Sequence, residues 1–133
     1  MGRCLVIVGI VGFLAGSAPA FAEEELAPGF DICIEKANNT AEQIACFTSA
    51  YKYWDKILNI NYKKAQNNCT GSENPESCKK TLLKAQRNWL QYMESMASAI
   101  FDAHGGGSFS RVQGDEFYAT ETKKQALLLQ SLV

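Results

Sequence analysis

Between Thr40 and Asn67 apolar residues recur every third or fourth position: Ile44, Phe47, Tyr51, Trp54, Leu58, Tyr62 and Ala65. That period lays them along one stripe of a helix, and Thr40-x-x-Gln43 reads as the capping box that opens it. A second run places Leu82, Leu83, Trp89, Leu90, Met93, Met96, Ala97, Ile100 and Phe101 on the buried side of another long helix. Asn74-Pro75-Glu76 starts that helix, with proline in the first turn, where its missing N–H costs nothing. His104-Gly105-Gly106-Gly107-Ser108 stops it, because successive glycines favour left-handed and open backbone. A last helix is expected over about Asp115–Ser131, with Phe117, Tyr118, Leu128, Leu129 and Leu132 as core candidates, and a short one around Asp31–Ala37 precedes the others. No segment alternates as a strand does at length. The expected fold class is all-α: a small helical domain built on a long antiparallel helix pair, joined by the loop at residues 69–78, with shorter helices flanking it.

Ahead of these helices the pattern is of another kind. Arg3 is followed by an apolar run from Leu5 to Ala15, then small residues ending in Ala20-Phe21-Ala22 before Glu23-Glu24-Glu25. This predicts a secretory signal peptide over residues 1–22 and a mature domain over residues 23–133, periplasmic or secreted. A membrane anchor needs roughly twenty continuous apolar residues; this run is shorter and is broken by Gly12, Gly16 and Pro19, so no stable membrane insertion is expected. Cys4 leaves with the signal. Four cysteines then remain in an oxidising compartment: Cys33, Cys46, Cys69 and Cys78. Four allow three connectivities. Spacing favours the local pairs, because Cys33 and Cys46 bracket the Asn38-Asn39-Thr40 turn while Cys69 and Cys78 bracket a turn-rich segment. Each would close a loop of roughly 10–15 residues and contribute about 3 kcal/mol by restricting the unfolded chain. Zinc is disfavoured, since no Cys-x-x-Cys occurs and His104 is the only histidine.

Charge changes the picture through its distribution. The mature chain carries 12 basic and 14 acidic residues, a formal 12 − 14 = −2, once Arg3 is removed from the 13 of the full chain. Nothing in that sum points to nucleic acid. Yet Lys52–Arg87 holds Lys52, Lys56, Lys63, Lys64, Lys79, Lys80, Lys84 and Arg87 against Asp55, Glu73 and Glu76. Glu94–Glu121 holds Glu94, Asp102, Asp115, Glu116 and Glu121 against Arg111 alone. The chain is polarised along its length.

Two polar motifs sit on the long helices. Asp55-x-x-Leu58-Asn59-x-x-Tyr62 lies on the first, and Leu83-x-x-Gln86-x-x-Trp89-Leu90 on the second. Asp55, Asn59 and Tyr62 share a helix face, as do Gln86 and Trp89, so the two sets are expected to meet across an antiparallel pair. With Gly106-Gly107-Ser108, this pattern resembles the lysozyme inhibitor LprI-like family of secreted bacterial proteins, over about Cys33 to Leu129. The resemblance implies the helical fold, and it implies lysozyme inhibition through the activity that gives the family its name. The motif residues Asp55, Leu58, Asn59, Tyr62, Gln86, Trp89 and Thr122 are expected to be structural. The chain departs from the family pattern where Ala97 and Phe117 stand at two cysteine positions and Gln125 at an arginine. The joint loss of that cysteine pair implies Ala97–Phe117 packing in its place, and it supports pairing Cys33 with Cys46.

Catalysis finds little support. His104 is the only imidazole and sits at a helix end beside three glycines. Asp55 reads as a buried polar residue tied to Gln86 and to Trp89 or Tyr62. No catalytic residue, cofactor or metal site is expected. The reading that remains is an exported binding protein with a protein partner, lysozyme being the candidate. A c-type lysozyme is basic with carboxylates in its cleft, so an inhibitor should meet it with acids and a small, polar or flexible loop. The segment from His104 to Glu116 is expected to be that loop. It offers Gly106 and Gly107 for close approach, Ser108 and Ser110 as hydrogen-bonding groups, Phe109 as a wedge, and Asp115 and Glu116 as acids. The alternative is a cell-envelope structural or immunity-type protein that binds an unrelated toxin or envelope component. Oligomeric state is not legible in the sequence.

Overall fold

A computed structural model describes residues 24–133. The expected signal peptide and Cys4 lie outside the described residues. Among the described residues four α-helices follow one another: α1 (Phe30–Lys36), α2 (Thr40–Asn68), α3 (Pro75–Ala103) and α4 (Ser108–Gln130), with one 3-10 turn at Cys69–Gly71 between α2 and α3. The fold is all-α, as the periodicity requires, and both local disulfides form, Cys33–Cys46 and Cys69–Cys78.

Helix boundaries follow local chemistry. Asn39 is the N-cap of α2, its side chain accepting from the Glu42 backbone N–H at 3.0 Å. Glu42 in turn accepts from the Asn38 N–H at 2.6 Å. The expected Thr40/Gln43 capping box is therefore shifted by one residue, because the asparagine carbonyl reaches the first-turn N–H better placed than the threonine already inside the helix. Asn74 caps α3 by accepting from Ser77 N–H at 3.0 Å, with Pro75 in the first turn. At the far end of α3, Gly105, Gly106 and Gly107 all take positive φ. The Gly106 N–H donates to Phe101 O at 3.1 Å, which satisfies a carbonyl that the ending helix leaves free.

The last helix corrects an expectation. It begins at Ser108, not near Asp115. Three glycines suffice to reverse the chain, and nothing in Ser108–Gly114 opposes a helix strongly enough to delay it. The connection is only His104–Gly107, and Ser110, Asp115 and Glu116 are helical.

The packing corrects another. The long α2–α3 pair touches only sparsely, while α4 packs along the length of α2 and also against α3. Chain order makes α4 antiparallel to α3 and parallel to α2. The register is fixed by Asn61, which donates to Ala126 O at 2.9 Å, and by Asn68, which donates to Leu132 O at 2.9 Å. Buried Ala50, Ala119 and Ala126 let the two backbones approach closely, around Phe47, Trp54, Leu58 and Leu129. Leu128 and Leu132, expected in this core, are exposed.

The segment before α1 closes the bundle from the other side. Ala27 is buried, and the Trp54 indole N–H donates to Leu26 O at 2.6 Å. Lys123 Nζ donates to Glu25 O at 3.0 Å and lies 5.4 Å from the centre of the Trp54 ring.

Candidate functional site

Because α2 and α3 diverge, a groove opens between them with α4 as its floor. Thr48 and Tyr51 of α2, Leu90, Met93 and Glu94 of α3, and Asp115 and Tyr118 of α4 line a depression of about 480 Å³. It adjoins a second of about 600 Å³, lined by Glu94, Ala97, Ser98, Phe101, Asp102 and Tyr118, towards the glycine turn. Glu94 and Tyr118 belong to both, so the two form one acidic, aromatic channel. The rings of Tyr51 and Tyr118 meet edge-to-face at 6.1 Å.

Electrostatics there are set by partial burial among like charges. Burial holds the Asp115 carboxyl above the usual carboxylate range, with Arg111 pulling the other way. Both tyrosines are pushed up as well. For Tyr51 the causes are burial, then Asp55 and Tyr118; for Tyr118 they are burial, then Glu94 and Asp115. Asp115, Tyr51 and Tyr118 are thus each disfavoured in the charged form, a cost that a cation entering the groove would relieve. Among the described residues no group of three or more His, Cys, Asp or Glu is disposed to hold a metal ion.

The structure scatters the residues expected to form one loop. His104 and Phe109 stay together at the turn, edge-on at 5.6 Å, with Phe109 61 % exposed. Ser108 and Gly107 form the start of α4, with Gly107 as N-cap. Ser110 is fully buried and offers nothing to a partner. Asp115 turns into the groove, whereas Glu116 lines a different depression with Glu24, Phe30 and Lys123. Adjacent helical residues point about 100° apart, which is why the pair cannot act together.

The polar motif also separates. Asp55 is half-buried, and Asn59 of the same helix donates to it, to its backbone O at 2.8 Å and its carboxylate at 3.3 Å. Tyr62 accepts from Gln66 at 3.1 Å. Gln86 accepts from Gln125 of α4 at 3.0 Å. The expected bonding of Asp55 to Gln86, Trp89 or Tyr62 does not occur: Asp55 and Tyr62 are each engaged by a residue one turn on in α2, and Gln86 bonds to α4 because α2 and α3 touch only sparsely. Leu58 is core, Trp89 packs against the core, and Thr122 is fully buried with no hydrogen-bond partner for its hydroxyl. Gln125, which stands where the family pattern has arginine, ties α3 to α4. Phe117 meets Tyr92 edge-to-face at 5.9 Å, while Ala97 lines the groove. Phe117 is thus held at least in part by an aromatic partner on α3.

Asn61 was missed by the reading of the sequence. It is only 6 % exposed and donates across to α4. The signal was present in the spacing, since Asn61 falls between Leu58 and Ala65 on the most buried line of α2.

The described residues thus form a disulfide-stapled, all-helical domain with an acidic groove at one end. The family model described as lysozyme inhibitor LprI matches residues 33–129, and the chain belongs to that family. No curated protein and no solved structure matches it. No described helix is long and apolar enough to cross a membrane.

Proposed function

We propose that residues 23–133 form an exported binding protein that inhibits a lysozyme-type muramidase by steric occlusion, using the acidic end of the bundle. Membership of the lysozyme inhibitor family over residues 33–129 carries this reading. The two disulfides fit an oxidising compartment outside the cytoplasm. The geometry supports the choice of end. Phe109 projects beside His104, and the channel behind the turn holds Glu94, Asp102 and Asp115 around Tyr118. A basic partner would find exposed Glu94 and Asp102 beside the partly desolvated Asp115, where a charge acts more strongly than on an open surface. An arginine or lysine entering the groove beside Tyr118 would meet both its ring and the Glu94 or Asp115 carboxylate.

The test is the lysis of suspended cell walls by a c-type lysozyme, with and without excess purified protein. The protein should slow lysis. Phe109→Ala with Asp102→Lys, both at exposed positions, should weaken inhibition at least tenfold while helical content stays unchanged. Losing the acid should also flatten the salt dependence. A parent protein that leaves lysis untouched at roughly micromolar concentration would sink the reading and return the chain to an envelope-binding or immunity role.

A further inference from the structure

The groove is flanked by two rows of cations. Lys52, Lys56 and Lys63 occupy one face of α2, and Lys80, Lys84 and Arg87 one face of α3, all exposed. Lys52 follows groove-lining Thr48 by one turn, and Arg87 precedes groove-lining Glu94 by two, so both rows rise from rims of the same groove. None of the six belongs to an ion pair among the described residues; the pairs there are Lys79–Glu76, Lys123–Glu24 and Lys124–Glu121. Asp55, the carboxylate nearest the α2 row in sequence, is half-buried and engaged by Asn59. On α3 the cations are interleaved with exposed leucines: Leu83 is 38 % and Leu90 51 % exposed. Lys80, Leu83, Lys84, Arg87, Asn88 and Gln91 together line a depression of about 380 Å³.

We propose that this face binds the phosphate headgroups of an anionic phospholipid surface, with the shallow α3 depression receiving a phosphate. Uncompensated cations answer the charge of such a surface, and Asn88 and Gln91 add amide donors. The leucines decide between a lipid and a soluble polyanion. Apolar side chains set among lysines gain from an interface that offers both charge and hydrocarbon, and gain nothing from a hydrated polyanion. The contact is peripheral, because no described helix is long and apolar enough to cross a membrane. It does not depend on lysozyme binding, since it uses the opposite charge and its cations line no part of the acidic groove, Leu90 alone being common to both.

Co-sedimentation of the purified, disulfide-bonded protein with vesicles tests it. Vesicles of phosphatidylcholine containing phosphatidylglycerol should bind the protein at low salt, and pure phosphatidylcholine vesicles should not. Binding should fall by roughly fivefold for each cation removed, so Lys80→Gln/Lys84→Gln/Arg87→Gln should lose most of it with circular dichroism unchanged. Leu83→Gln/Leu90→Gln should weaken vesicle binding too. Equal binding to both kinds of vesicle, or undiminished binding by the triple variant, would overturn the proposal. So would retention on a heparin column without vesicle binding, which would assign the face to a soluble polyanion. The triple variant should still slow lysozyme, so failure here and failure of the inhibitor reading are separately visible.

Discussion

α2 and α3 are each 29 residues long, yet α2 buries seven residues and α3 buries Met93 alone. Both sequences carry apolar residues at helical spacing, so amphipathicity does not account for the difference. Cover does. α2 is packed by α4 on one side and by α1 and the segment Leu26–Ala27 on the other, and is tied at Cys46 and next to its end at Cys69. α3 has α4 and the hairpin end, and little else. An apolar stripe states that a helix has a face to bury; it does not state that the domain supplies enough partners to bury all of it. What α3 leaves uncovered, Leu83, Leu90, Tyr92, Met96 and Phe101, is the surface on which a small binding domain can meet something else.

The contrast is sharpest at two positions. Trp54→Ala removes a buried ring and leaves the Leu26 carbonyl without its indole donor. It should cost about 3–5 kcal/mol in denaturant unfolding. Leu90→Ala, on the open rim of α3, should stay within about 0.5 kcal/mol. Comparable losses at the two sites would mean that α3 is covered in solution by contacts this bundle does not contain.

Opening the Cys69–Cys78 staple, by serine at both positions, should cost about 2–4 kcal/mol and should loosen α3 first, since that helix has so few buried contacts. Amide exchange along the two helices would register this, with protection falling in α3 while the α2–α4 core keeps its own. Uniform loss along both would show that the two regions unfold as one unit.

Thr122 is a finer probe of the same core. Its hydroxyl is buried without a partner between the helices. Thr122→Val keeps shape and branching and removes the unpaired group, so stability should rise by about 1 kcal/mol. A loss would reveal a hydrogen bond to that hydroxyl.

The smallest expected effect is electrostatic and belongs to the groove. Asp115 has its pKa raised by burial in the folded state. Folding therefore favours its protonated form, and that contribution is complete below the ordinary carboxylate pKa. It is lost as pH rises through the raised folded value. Asp115→Asn should thus be slightly more stable than the parent at neutral pH, and the advantage should vanish in acid. An advantage that grew in acid would mean that Asp115 is paired as a carboxylate, and the groove would not be short of cations.

The helices, their caps at Asn74 and the glycine stop, and both disulfide pairs were legible in the sequence, since each depends on residues close together in the chain. Period, capping and short loop closure are local physics. The site was legible only in its composition. That Glu94, Asp102 and Asp115 converge, and that Asp115 and Glu116 diverge, follows from where α4 begins and how it is rotated. Ser108–Gly114 carries no local feature strong enough to announce an early helix.

The partner of α2 was decided by tertiary structure alone. The apolar stripe of α2 could have met α3, its neighbour in sequence, and the polar motif on each helix invited that pairing. It met α4 because Ala119, Thr122 and Ala126 present a surface of small side chains that lets two backbones close in around Trp54 and Leu58, with Asn61 bonded across the seam. The bulky Trp89 and Met93 of α3 offer no such face. Periodicity fixes which side of a helix is buried, whereas the sizes of side chains on distant segments, compared in three dimensions, choose what it is buried against.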